Sequence, residues 1–215
     1  MSEALIALAA AAPLGGGWLV HGLFLRHRIE AARRDPLTGL PGRQTFQRRA
    51  AKLLRARGAA VVLVDLDRFK ALNDTYGHGA GDAVLATCAA RLCRWAEEHG
   101  GCAARLGGDE FAAAVLATDN DLPMALDALY ASMCRPVSYR DRALVVGASV
   151  GAYFAELLPE PPLERAMRRA DEAMYAAKRS GGGWQVAETP TPAMTTTNGR
   201  RTGRPGTAAP KGGSR

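Results

Sequence analysis

The sequence predicts an α+β fold, a sheet with antiparallel pairs and helices on its faces. Three observations carry this. Val61 to Val64 is an apolar, β-branched-rich run of the kind a strand buried on both faces needs. Two further apolar runs, Cys102 to Leu106 and Phe111 to Leu116, flank Gly107-Gly108-Asp109-Glu110. A Gly-Gly pair between such runs signals a tight hairpin. Segments of helical period interleave with these strands, which with a hairpin among them favours α+β.

In chain order, Arg26 to Arg34 suggests a short helical stalk that Pro36 ends, and Pro41-Gly42 makes a turn. Thr45 to Arg57 is expected to be a helix with Phe46, Ala50, Leu53 and Leu54 inward, stopped by Gly58. A strand from Ala59 to Leu66 follows, then a loop-rich, partly helical segment from Phe69 to Gly81. Asp82 to His99 carries Val84, Leu85, Cys88, Leu92 and Trp95 on one helical face, with Gly100-Gly101 as its cap. After the hairpin come a helix from Leu122 to Cys134 and one long strand-like run from Ala143 to Phe154. Pro159 to Pro162 turns the chain into a last helix, Leu163 to Arg179, which Gly181-Gly182-Gly183 stops. Trp184 to Ala187 suits a closing strand.

The chemistry gathers at the strand end and the hairpin. Side chains alternate along a strand, so Asp65 and Asp67 share a face at the end of the first strand. The hairpin tip carries Asp109 and Glu110. If the strands are neighbours, Asp65 and Asp109 converge on a hard-cation site with oxygen ligands. Paired carboxylates at a Gly-rich turn are what phosphoryl or nucleotidyl transfer requires of a Mg²⁺ site. The bland alternative, solvated turn acids, fits poorly with a buried strand that ends in two of them.

Four motifs in order resemble the GGDEF domains of diguanylate cyclases. They are Asp35-Pro-Leu-Thr-Gly-Leu-Pro-Gly-Arg43, then Asp65-Leu-Asp-Arg-Phe-Lys-Ala-Leu-Asn-Asp74 with Gly77-His78 and Gly81-Asp82, then Arg105-Leu-Gly-Gly-Asp-Glu-Phe111, and Ala170-Asp171 through Tyr175 and Lys178. The resemblance spans about residues 34 to 187. It implies a palm-like nucleotidyl cyclase fold whose central sheet is mostly antiparallel and flanked by helices. It implies condensation of two GTP into cyclic di-GMP by a homodimer, with Mg²⁺, or Mn²⁺ in its place. Asp65, Asp109 and the Leu66 backbone carbonyl would be the metal ligands. Asp109 and Glu110 would be the catalytic acids, with Asp67 a helper or a purely local structural residue. Asn73 and Asp82 match the positions that read guanine. A helix N-cap is the competing role for Asp82. Phe69 and Lys70 match a turn whose backbone N–H groups cradle phosphate. Lys178 matches a phosphate-neutralising lysine, or is an ordinary solvent-facing one. His78 would order the binding loop, to which Asp74 also belongs.

Two departures stand out. The positions of an inhibitory R-x-x-D product site hold Glu98 and Gly101. Where the family usually has G-R-N after the last helix, this chain has Gly181, Gly182 and Gly183. The missing arginine raises a second reading, a weak or inactive GTP-binding regulatory module. Asp82 argues against a third, a cyclase with altered base choice.

The formal net charge of +7 concentrates outside the central part. Residues 35–187 hold 19 Lys and Arg against 18 Asp and Glu, so the charge balance does not call for a nucleic-acid partner. The four cysteines make no C-x-x-C pair and suit core packing. Residues 4–25 contain no Asp, Glu, Lys or Arg, a length that fits one membrane span; Pro13 and three glycines weaken a helix there, and a buried or partner-binding helix is the alternative. The arginines after it place the catalytic part on the cytoplasmic side, so the expected location is a bacterial inner membrane with a single pass. The organisation expected is therefore an anchor at 1–25, a basic stalk at 26–34, a catalytic domain at 35–187 and a disordered basic tail at 188–215.

Overall fold

A computed structural model describes residues 34–118, 120–155 and 163–187. The expected anchor, most of the stalk, the Pro159–Pro162 turn and the tail lie outside the described residues. No helix among the described residues is long and apolar enough to cross a membrane.

The chain builds α1 (Arg43–Leu53), β1 (Ala59–Asp67), α2 (Phe69–Tyr76), α3 (His78–Glu98), β2 (Cys102–Gly107) and β3 (Glu110–Leu116). There follow α4 (Leu122–Met133), β4 (Val137–Tyr139), β5 (Arg142–Leu144), β6 (Gly147–Phe154), α5 (Leu163–Arg179) and β7 (Gly183–Val186). A five-stranded sheet has the order β2-β3-β1-β6-β7, and β4-β5 form a separate two-stranded one. All neighbours in the large sheet are antiparallel except β6 and β7. The α+β, mostly antiparallel architecture is as expected.

β1 is central because both its faces are apolar. Val62, Val64 and Leu66 pack with Leu85, Leu92, Leu126 and Leu129 of α3 and α4. Val61 and Leu63 point the other way, onto Phe46 and Ala50 of α1 and Ala166, Ala170 and Met174 of α5. This strict alternation is the period-two geometry of a strand covered on both sides.

Four local expectations need correction. The segment Phe69–Gly81 is almost wholly helical: α2 ends at Gly77, whose φ of 83° breaks the chain before α3. α3 therefore starts at His78, with Gly77 at its N-cap, and Asp82 lies inside the helix rather than capping it. The hairpin turn falls on Gly108-Asp109, because Gly107 still pairs with Glu110. Finally, Ala143–Phe154 is not one strand. Arg142–Leu144 folds back on Val137–Tyr139 through Arg140, at φ 51°, and Asp141. Val137 and Leu144 thereby reach the core, and the main-sheet strand begins only at Gly147.

Candidate active site

The site forms where β1 ends beside the β2–β3 turn. Antiparallel pairing sets Asp65 opposite Glu110, and the Leu66 N–H donates to the Asp109 carbonyl at 3.3 Å. Asp65 is 6% exposed, and Lys178, from the last turn of α5, reaches it with Nζ at 2.5 Å from Oδ1. Burial pushes the Asp109 carboxyl above its ordinary value, and the nearby Asp65 charge adds to the rise. So two acids converge at one point and a single lysine partly offsets them. Lys178 is therefore not an ordinary solvent-facing lysine. On β6, Ser149 Oγ donates to Asp67 Oδ1 at 2.7 Å, tying that carboxylate to the next strand.

A hard divalent cation fits this donor set. Among the described residues no three His, Cys, Asp or Glu side chains form a metal-binding group. Two side-chain carboxylates with a backbone carbonyl and substrate oxygens is the ligand supply that Mg²⁺ commonly uses.

The turn is held from behind. Arg105 Nη1 contacts both Asp35 carboxylate oxygens at 3.0 Å. Its Nε and Nη2 donate to the Gly108 carbonyl at 2.9 and 2.7 Å. Burial alone would raise the Asp35 carboxyl, but hydrogen bonds from Thr38 and the Arg105 guanidinium hold it below its ordinary value of 3.8. Neither residue received a role from the sequence. We expect Arg105→Ala to cost about 2 kcal/mol in urea unfolding, since charge-assisted hydrogen bonds contribute ~1.5–3 kcal/mol. A carboxylate with a lowered folded value stabilises above pH 3.8 and loses that contribution as pH falls through the lowered value. The difference between wild type and Asp35→Asn should accordingly shrink in acid.

On the other side of β1, Arg68 takes a left-handed conformation, φ 54° and ψ 27°, and opens α2 at Phe69 and Lys70. Phe69 packs against the core and Lys70 is exposed. Asn73 has a buried Oδ1 with no hydrogen-bond partner among the described residues. An orphaned acceptor of this kind is costly unless something occupies it. It lies directly over Gly81, where an added Cβ would sit 1.9 Å from Asn73 Oδ1. Asp82 follows Gly81 and is exposed. Asp74 is exposed, as is His78, at the first position of α3. No hydrogen bond of the His78 ring orders the loop among the described residues; Gly77 makes the break instead. We expect Gly81→Ala to raise the KM for a nucleotide roughly tenfold or more with the fold intact, because the one-carbon change displaces Asn73 while favouring helix by ~1 kcal/mol. Steady-state kinetics beside circular dichroism checks both halves.

The model of the family described as diguanylate cyclase, GGDEF domain, matches residues 32–183. An uncharacterized 19.3 kDa protein from the repSA 5′ region of Streptomyces ambofaciens is 50% identical over 163 residues, 75% of this chain and 87% of that protein. The diguanylate cyclase TpbB of Pseudomonas aeruginosa is 39% identical over 161 residues, and the match spans 71% of this chain but 36% of TpbB. The solved structure of the isolated GGDEF domain of TpbB superposes with a TM-score of 0.67 at 36% identity, covering 72% of this chain and 94% of that domain.

Proposed function

This chain belongs to the GGDEF domain family of diguanylate cyclases, and we propose on that premise that it condenses two GTP into cyclic di-GMP. The observation that carries this is the cluster of Asp65, Asp109 and Lys178 at the end of β1. A divalent cation, Mg²⁺ or Mn²⁺, held by Asp65, Asp109 and the Leu66 carbonyl, would supply Lewis-acid polarisation of the α-phosphate.

This chain's own residues do the rest. The N–H groups of Phe69 and Lys70, at the start of α2, receive the terminal phosphates. Lys178 exchanges Asp65 for phosphate oxygens when nucleotide arrives, keeping its charge paired in both states. Asp82, one helical position past Gly81, accepts from the guanine N1–H and N2–H₂, and the Asn73 amide bonds the acceptors of the base. Adenine offers no such donor pair. Asp74 and His78 border this pocket. The 3′-oxygen of one GTP bonds to the α-phosphorus of the other, the bond to the bridging oxygen breaks, and pyrophosphate leaves with its electron pair. Asp109 takes the hydroxyl proton, with Glu110 beside it. Two such events close the ring, so two subunits must face each other, each holding one GTP. Residues 4–25 would tether the dimer to the cytoplasmic face of an inner membrane.

One feature favours a second reading, a GTP-binding module with little turnover. Gly181, Gly182 and Gly183 follow α5 with φ of 96°, 107° and 100°, so no arginine stands there for a terminal phosphate. Pyrophosphate release by the full chain separates the two. The cyclase releases pyrophosphate from GTP and not ATP, with a rate rising as the square of subunit concentration at low protein. A module binds GTP and releases none. Lys178→Met should weaken GTP binding roughly tenfold to hundredfold, since a charge-assisted phosphate contact is worth ~1.5–3 kcal/mol.

A further inference from the structure

We propose that the outer face of α1 docks on a layer of anionic lipid headgroups. Residues 43–57 hold Arg43, Arg48, Arg49, Lys52, Arg55 and Arg57 and no Asp or Glu. The remainder of residues 35–187 holds 13 Lys and Arg against 18 Asp and Glu, so the domain is nearly neutral in sum but sharply polarised. The inward side of α1 is already used: Phe46, Ala50 and Leu54 are buried against β2, β3 and α5. Arg48 and Lys52, one helical turn apart, lie on the opposite side, and Arg55 follows in the turn past the end of α1; all three are exposed, as are Arg43 and Arg49. Among the described residues no carboxylate pairs with any of these five.

The arrangement works against the helix that carries it. Arg48 and Lys52 are like charges four apart, and Arg49 and Lys52 three apart, spacings at which repulsion weakens a helix. The first turn has no acid and Gly42 supplies no side-chain cap, so Arg43 faces the positive end of the macrodipole. A dense anionic surface relieves all of these at once. A lipid surface fits better than nucleic acid. The only aromatic residue in this stretch is Phe46, fully buried, so no ring is available for bases to stack on. An exposed cationic face without aromatic rings instead matches a planar layer of anionic headgroups. Arg43 lines a cleft with Gly107 and Gly108 of the hairpin, so the docking face consists of Arg48, Arg49, Lys52 and Arg55, and its test reads lysine labelling rather than turnover.

The test follows acetylation of single lysines by mass spectrometry in the full chain reconstituted into vesicles. One set is phosphatidylcholine alone; in the other about a third of the lipid is phosphatidylglycerol. Lys52 reports on α1, and exposed Lys70, at the start of α2 across the sheet, is the internal control. Lys52 labelling should fall roughly fivefold with phosphatidylglycerol and recover at about 1 M salt, where screening is short-ranged, while Lys70 is unchanged. Arg48→Gln with Arg55→Gln, both exposed positions, should release Lys52 in the anionic vesicles. Equal Lys52 labelling in both vesicle types would overturn the proposal. So would protection of Lys52 by a single-stranded oligonucleotide but not by lipid, which would assign the face to nucleic acid.

Discussion

Asp109→Asn should lower GTP condensation by roughly 10³-fold, the several kcal/mol expected when a metal-binding carboxylate that also accepts the proton is removed. The same change should raise the melting temperature of the metal-free protein. Burial and the Asp65 charge lift the folded value of the Asp109 carboxyl above 3.8. A carboxyl lifted in this way contributes stability below pH 3.8 and loses it as pH rises through the folded value. The melting-temperature gap between Asp109→Asn and wild type should therefore be small in strong acid and open toward neutral pH. Added divalent cation should narrow it by stabilising only the wild type. Thermal unfolding at two pH values, with and without Mg²⁺, measures all three effects. A variant that lost turnover by unfolding would show the opposite shift.

Gly151→Ala should produce the largest loss of stability. Gly151 lies in β6, paired with Leu63 of the central strand. A Cβ there would meet the Ala170 carbonyl oxygen and the Met174 nitrogen at 2.1 Å, and Met174 Cα at 2.6 Å. These are backbone atoms of α5 and cannot rotate away. The helix must shift outward, against a core in which Ala166, Ala170 and Met174 already pack on Val61 and Phe46. Overpacking typically costs ~1–3 kcal/mol, and backbone-on-backbone conflict belongs at about 3 kcal/mol or beyond. Urea unfolding gives the number. Lys178 lies one turn past Met174, so the shift should also break its ion pair with Asp65 and weaken GTP binding in whatever fraction stays folded.

The parts of this architecture visible in the sequence are those set by local pattern. Val61 to Val64 marks the central strand because both faces are apolar, and the glycine pair marks the hairpin. The 3.6-residue period places α1, α4 and α5 within a few residues. What local pattern misses depends on tertiary placement. The Val145-Val146 stretch looks like strand interior, yet Val145 is exposed and the chain there leaves one sheet for another. Phe69–Gly81 holds the glycines and polar residues of a loop, but Leu72 and Phe69 find the core and draw the segment into helix. Asp35 and Arg105 lie 70 residues apart, and Lys178 and Asp65 lie 113 apart. A single sequence gives no sign of either pair. The family motifs pointed to Lys178 and left Arg105 without a role. Ser149 sits in an apolar run and gave no signal until β6 paired with β1.

The measurement that bears most directly on the central claim is mass-resolved chromatography of the product formed from GTP and Mg²⁺ by the full chain in its dimeric state. The cluster of Asp65, Asp109 and Lys178 predicts cyclic di-GMP from the wild type and none from Asp109→Asn. A folded, dimeric wild type that binds GTP and forms no cyclic di-GMP would contradict the cyclase reading and make the glycine run after α5 the mark of a binding module.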